Sequence, residues 1–145
     1  MSELVVTFPG GKQVNAAYQG HVLATDQSVE NGGQGGAPEP YTLFLASIGT
    51  CAGIFVLGFC QSRGIDSSGI RLTQNMEWDE ATHVLKKVRI DIHVPPTFPE
   101  KYRDALARSA SGCSVKKAIQ AQPVFDLRTV VAPLVEDLEV IALTR

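Results

Sequence analysis

Three thiols, Cys51, Cys60 and Cys113, are the side chains of this sequence most able to do covalent chemistry. The thiolate is the nucleophile, so what matters is which local setting favours it. Cys51 and Cys60 stand nine residues apart in one apolar run. On a helix that spacing means about 13 Å of rise and opposite faces, so the two cannot bridge without breaking the helix. Cys113 precedes Ser114, Lys116 and Lys117 at the expected start of a short helix. Unpaired backbone N–H groups and positive charge there would favour its thiolate. Cys51 lies mid-helix, so any activation must come from side chains elsewhere in the fold. Each cysteine also reads as a small buried hydrophobe, a reading that suits Cys60 best. Cys51, lined by Ser47 and Thr50, together with Cys113 would supply what thiol redox chemistry needs: one sulfur to attack and one to resolve the sulfenic acid as a disulfide.

The run that carries Cys51 must place it. Leu43 to Cys60 has no charged residue, and its apolar residues surround a helix instead of forming one stripe. A buried central helix over Pro40 to Arg63 is expected, with Pro40 suited to the first turn and Gly64 to the stop. Its length also raises a membrane span. Ser47, Thr50, three internal glycines and the lack of a basic flank before it argue against one. A chain of 145 residues has little material to wrap such a helix, so the helix is expected to be shared with a second subunit.

Around that helix the order is strands, buried helix, hairpin, helix, short helix, strands, which is α+β in a single domain over 1–145. Leu4 to Phe8, Gln13 to Gln19 and Val22 to Thr25 read as strands, with a turn at Pro9 to Gly11 and a bend at Gly20. Asp26 to Glu39 holds four glycines and reads as a flexible loop, either a connector or a cover over a pocket at the helix. Ile70, Leu72, Met76 and Trp78 alternate with polar neighbours, Gln74 being the exception. Val88, Ile90, Ile92 and Val94 do the same, so a hairpin turned near Glu80 to His83 should bury one face. Thr97 and Glu100 have capping-box spacing, followed by the apolar stripe Tyr102, Ala105, Leu106 and Ala110. A short helix over Ser114 to Ala121 ends at Pro123, and Val124 to Val131 and Leu138 to Leu143 read as strands.

Composition excludes several classes. Hydrophobic residues make up 44% of the chain and charged ones 19%, which predicts a substantial core and not disorder. A net charge of -2 lacks the basic excess of a nucleic-acid surface. The acidic start MSELVVTF is unlike a secretory signal, so a cytoplasmic location is expected. His21, His83 and His93 with three scattered cysteines do not have zinc-ligand spacing, and no metal or other cofactor is expected. GGQGG lacks the context of a phosphate loop.

PYTLFLASIGTC at 40–51, preceded by the glycine-rich loop, and GCSVKKAI at 112–119 together resemble the two cysteine motifs of the osmotically inducible protein C and organic hydroperoxide resistance family. The resemblance implies an intertwined homodimer with long central helices enclosed by sheets and active sites at the subunit interface. It also implies a peroxidase in which Cys51 attacks an organic hydroperoxide, Cys113 resolves it, and an external dithiol reduces the product. Peroxidase members add an arginine from the N-terminal strands and a glutamate near the start of the helix. This chain has no Arg before Arg63, and Tyr41 stands at the glutamate position, ten residues before Cys51, with Thr42 beside it. Glu39 and His21 are the candidate replacements, ahead of Lys12, which reads as a surface turn residue. Tyr41, Thr42, Phe44 and Phe55 are candidates to line an apolar pocket, while Arg103 and Arg108 read as solvent or subunit contacts. The alternative function on the same fold is binding of a small apolar ligand without peroxidase activity.

Overall fold

The computed structural model describes residues 3–131. Their contacts divide them into two compact units, the first running to Phe44 and resuming at Phe125, the second from Leu45 to Val124.

In the first unit, β1 (Val5–Gly10), β2 (Gln13–Tyr18) and β3 (His21–Thr25) form an antiparallel sheet in that order. Tyr18 pairs with His21, so Gln19 and Gly20 make a tight hairpin turn, both with positive φ (48° and 80°). Gly20 thus closes a turn instead of bending a strand.

The loop that follows, with its four glycines, is tied down by two carboxylates. Asp26 is buried and accepts backbone N–H groups from Gln27 (2.8 Å), Gln34 (3.3 Å) and Gly36 (3.1 Å). Glu39 accepts from the Ser28 N–H at 3.0 Å and the Asn31 amide at 3.2 Å, and its own carbonyl takes the first N–H groups of the helix, from Thr42 and Leu43. Both carboxyls are held below their usual range, Asp26 by the Gly36 N–H first and Glu39 by the Ser28 N–H first. Gly33 is needed for closeness, because a Cβ there would overlap the Gln27 carbonyl.

α1 spans Pro40–Ser62 and passes into the second unit. It ends as Gly64 predicts. Gly64 has φ +62°, its N–H reaches the Gln61 carbonyl, and the Ile65 N–H reaches that of Cys60 at 2.9 Å. That pair of bonds is a Schellman cap, and Ile65 packs on the core beside Cys60 as such caps favour. The Arg63 guanidinium lies 3.6 Å from the Phe59 ring centroid and donates to the Phe59 carbonyl.

Within one chain α1 buries one stripe, Ile48, Ala52, Val56, Phe59 and Cys60. Ile54, on another side, is 59% exposed. By length and composition α1 could cross a membrane. The buried stripe, however, is covered by protein, because β4 (Arg71–Trp78) and β5 (Leu85–His93) form the expected hairpin against it. Ile70, Leu72, Ile92 and Val94 pack on the core of Val56, Phe59, Cys60, Phe98 and Leu106. Gln74, the polar exception on the inner face, donates to the Leu45 carbonyl at 3.0 Å across a place where α1 has Gly49. A Cβ at Gly49 would lie 2.8 Å from the Gln74 amide oxygen. Asp79 organises the hairpin turn by accepting from Ala81 N–H, Thr82 N–H and the Thr82 hydroxyl.

Beyond β5 the expected capping box is not formed. Pro99 stands at the cap, without a side-chain bond, of a 3-10 turn over Glu100–Tyr102 that leads into α2 (Arg103–Ala110). Pro99 fixes φ at -60° and enforces the entry that Thr97 was expected to make. Leu106 is the buried centre of the α2 stripe, with Tyr102, Ala105 and Ala110 around it. α3 (Ser114–Ala121) has the expected bounds. The strand expected over Val124 to Val131 is absent: these residues carry no regular structure, and Val131 is 100% exposed. A strand forms only where its N–H and C=O groups find a partner. Leu138 to Leu143 lies outside the described residues.

Leu106 is 2% exposed and joins α2 to α1 and the hairpin. Leu106→Ala is expected to destabilise the protein by about 2–5 kcal/mol in denaturant unfolding.

Candidate active site

Cys51 sits halfway along α1, half-buried, where helical N–H groups are already bonded to carbonyls one turn back. Thr50 gives it no help, since its hydroxyl bonds back to the Ala46 carbonyl at 2.9 Å. Help comes from another element. The Schellman cap fixes where α1 ends, Leu106 anchors α2, and the turn at Ser111 to Gly112 swings α3 so that its first residues face Cys51. The Ser114 hydroxyl lies 3.6 Å from Cys51 Sγ.

Cys113 is the N-cap of α3, buried, with its sulfur accepting the Lys116 N–H at 3.4 Å. Its thiol lies near enough to Cys51 to act on that group's ionisation. The Cys51 thiol is drawn down to about 7, first by the Cys113 thiol, then by the Val115 N–H and the Ser114 hydroxyl, against a smaller upward effect of burial. The sequence places the benefit of this helix start at Cys113 itself. The fold directs Ser114 and Val115 onto Cys51. Cys60, in the core, is pushed up by burial and fits the inert reading.

Of the other candidates, Phe55 lies one turn beyond Cys51 on α1. It lines, with Ile54, Phe59, Ala105, Arg63 and Arg108, a groove of about 590 Å³ between α1 and α2. Arg108 is thus a groove residue, and Cys51 is not among those lining it. Arg103 begins α2 and is exposed. The remaining candidates belong to the first unit. His21 is exposed at the start of β3, Lys12 is exposed in the turn after β1, and Glu39 ties the loop at 28–31 to the entrance of α1. The Tyr41 and Phe44 rings meet at a tilt of 42° with centroids 5.4 Å apart in the first turns of α1, and Thr42 beside them is exposed. Ser114 is the residue that the sequence reading missed. It stands next to Cys113, but nothing local reveals that its hydroxyl meets a thiol 63 positions away.

Residues 33–128, both cysteine motifs included, match the family model for OsmC-like proteins. The chain belongs to the OsmC-like family. No curated protein matches it significantly. Among solved structures it is similar to a Psychrobacter arcticus 273-4 protein assigned to osmotic stress and detoxification response, with TM-score 0.68 and 22% identity over 81% of this chain and 88% of that one. A Vibrio cholerae protein assigned to organic hydroperoxide resistance, with captopril in one of its active sites, gives TM-score 0.55 and 17% identity over 83% and 85%. The organic hydroperoxide resistance protein OhrB of Bacillus subtilis gives TM-score 0.51 and 16% identity over 84% and 92%. At these identities the likeness is one of fold. This OsmC-like chain joins that fold to a pair of adjacent thiols, an arrangement suited to thiol redox chemistry.

The causes of the low Cys51 pKa predict its reactivity. Alkylation of Cys51, followed by peptide mass mapping, should rise with pH through a midpoint of about 7 and then level off, because only the thiolate reacts. Cys113→Ala should move the midpoint toward the ordinary thiol range, and Ser114→Ala should move it less. Cys60 should stay unlabelled at the same pH.

Proposed function

We propose that this protein reduces organic hydroperoxides, with Cys51 as the attacking thiol and Cys113 as the resolving one. The observation that carries this reading is that the start of α3 meets Cys51, with the Ser114 hydroxyl 3.6 Å from its sulfur and the Cys113 thiol nearby, and favours its thiolate. The Cys51 thiolate attacks the distal oxygen of the hydroperoxide. The O–O bond breaks, its electron pair leaves with the alkoxide, and the sulfur keeps the hydroxyl as a sulfenic acid. The alkoxide takes a proton and departs as the alcohol. Cys113 then attacks the sulfenic sulfur, its proton leaves with the hydroxyl as water, and a disulfide forms for an external dithiol to reduce. The Ser114 hydroxyl is the side-chain donor placed to steady charge beside Cys51 where the family's arginine is missing. Phe55, one turn beyond Cys51 on α1, is the candidate for the apolar surroundings of the peroxide.

The same reading includes a homodimer in the cytoplasm. Its support is apolar surface that one chain leaves open: Ile54 on α1, Val6, Phe8 and Leu23 on the first sheet, and Phe125 to Val131. Sedimentation at micromolar concentration should give about twice 15.6 kDa, and a 15.6 kDa species alone would remove the dimer.

Binding of a small apolar ligand is the second reading. The groove beside Phe55 and the lack of an Arg before Arg63 favour it. One experiment separates the two. Reduced protein is mixed with an equivalent of cumene hydroperoxide and its cysteines are mapped by mass spectrometry. The peroxidase reading expects rapid formation of a Cys51–Cys113 disulfide, and a trapped oxidised Cys51 in Cys113→Ser. Oxidation no faster than that of free cysteine would leave ligand binding as the function.

A further inference from the structure

The approach of α3 to Cys51 passes through one contact that the chemistry above does not use. Gly112 immediately precedes Cys113, and its backbone lies against the ring of Phe55, one turn beyond Cys51 on α1. A Cβ built on Gly112 would lie 3.0 Å and 3.3 Å from two ring carbons of Phe55 and 3.3 Å from the Ser109 carbonyl oxygen. Gly112 is not one of the glycines with positive φ, so backbone conformation does not demand glycine there. Space does. The turn is also held from its other end. The Ser109 hydroxyl donates to the Phe55 carbonyl at 3.4 Å, and the Gly112 N–H donates to the Ser109 carbonyl at 3.0 Å.

We propose that Phe55 and Gly112 form a positioning pair, in which the ring is the stop against which the α2–α3 turn rests and the missing Cβ sets how near Ser114 and Cys113 come to Cys51. The inference rests on the thiol reading of the site. The ring can take up part of the overlap within its rotamer well, and the two-residue turn at Ser111 and Gly112 takes up the rest. A methyl group at Gly112 therefore lifts the start of α3, and the Cys51 thiolate loses donors whose strength falls steeply with distance.

The test is the pH dependence of Cys51 alkylation in the full-length reduced protein without peroxide, with thermal melting by circular dichroism as the fold control. Gly112→Ala is expected to raise the midpoint by about half a unit to one unit. Phe55→Ala combined with Gly112→Ala is expected to bring it back, because the new methyl group then occupies space the ring has left. An unchanged midpoint in folded Gly112→Ala overturns the proposal, as does a rise that the second substitution does not relieve. Should Gly112→Ala fail to fold, the double variant decides: folded with the wild-type midpoint supports the pair, and anything else overturns it. A wild-type Cys51 that titrates as an ordinary thiol would instead defeat the thiol reading, leaving the pair nothing to position.

Discussion

A thiol in the middle of an α-helix sits where the backbone has no donors to spare, since each N–H around it is bonded one turn back. The thiolate of Cys51 therefore depends on a second element whose unpaired N–H groups are brought to it from outside. α3 is that element. Its first turn carries Cys113, Ser114 and Val115, three consecutive residues whose thiol, hydroxyl and N–H all act on Cys51. The short helix contributes less through its own burial, with no fully buried residue, than through where its free end points.

Much of the second unit follows from holding that end in place. Leu106 fixes α2 against Val56, Phe59 and Cys60, so the next turn reaches α1 at Phe55. On another face of α1, Gly49 lets the hairpin close in, and Gln74 takes a helix carbonyl as its partner instead of burying an unpaired amide. α1 is thus contacted on different sides by elements with different tasks, a sheet for the core and a helix start for the thiol. A uniformly apolar helix suits this, because it does not commit in advance to one buried face.

The same uniformity limited what the sequence could tell. Pro40, Gly64, the alternation at Leu72 to Met76 and at Val88 to Ile92, and the bounds Ser114–Ala121 were legible, because helix ends and strand faces are set by local chemistry. The two cysteine motifs made the family legible too. Which side of α1 is buried was not legible, since an all-round apolar helix has no stripe to read. Nor was the beneficiary of the α3 start, because donors at a helix N-terminus act on whatever the fold sets before them. Thr97 and Glu100 had the right spacing for a cap, yet Pro99 between them fixed another path. The loop glycines read as freedom, where Asp26 and Glu39 in fact gather their neighbours' N–H groups. Val124 to Val131 has strand residues, but pairing is not a property of one segment.

Ser114 and Val115 sense the charge on Cys51, and their backbone amide resonances report this directly. In a pH titration of the reduced protein by nuclear magnetic resonance, both amides should shift together with a single midpoint of about 7, and that step should vanish in Cys51→Ser. Amides that do not move through this range, or that keep the same step in Cys51→Ser, would contradict the claim that the start of α3 holds the Cys51 thiolate.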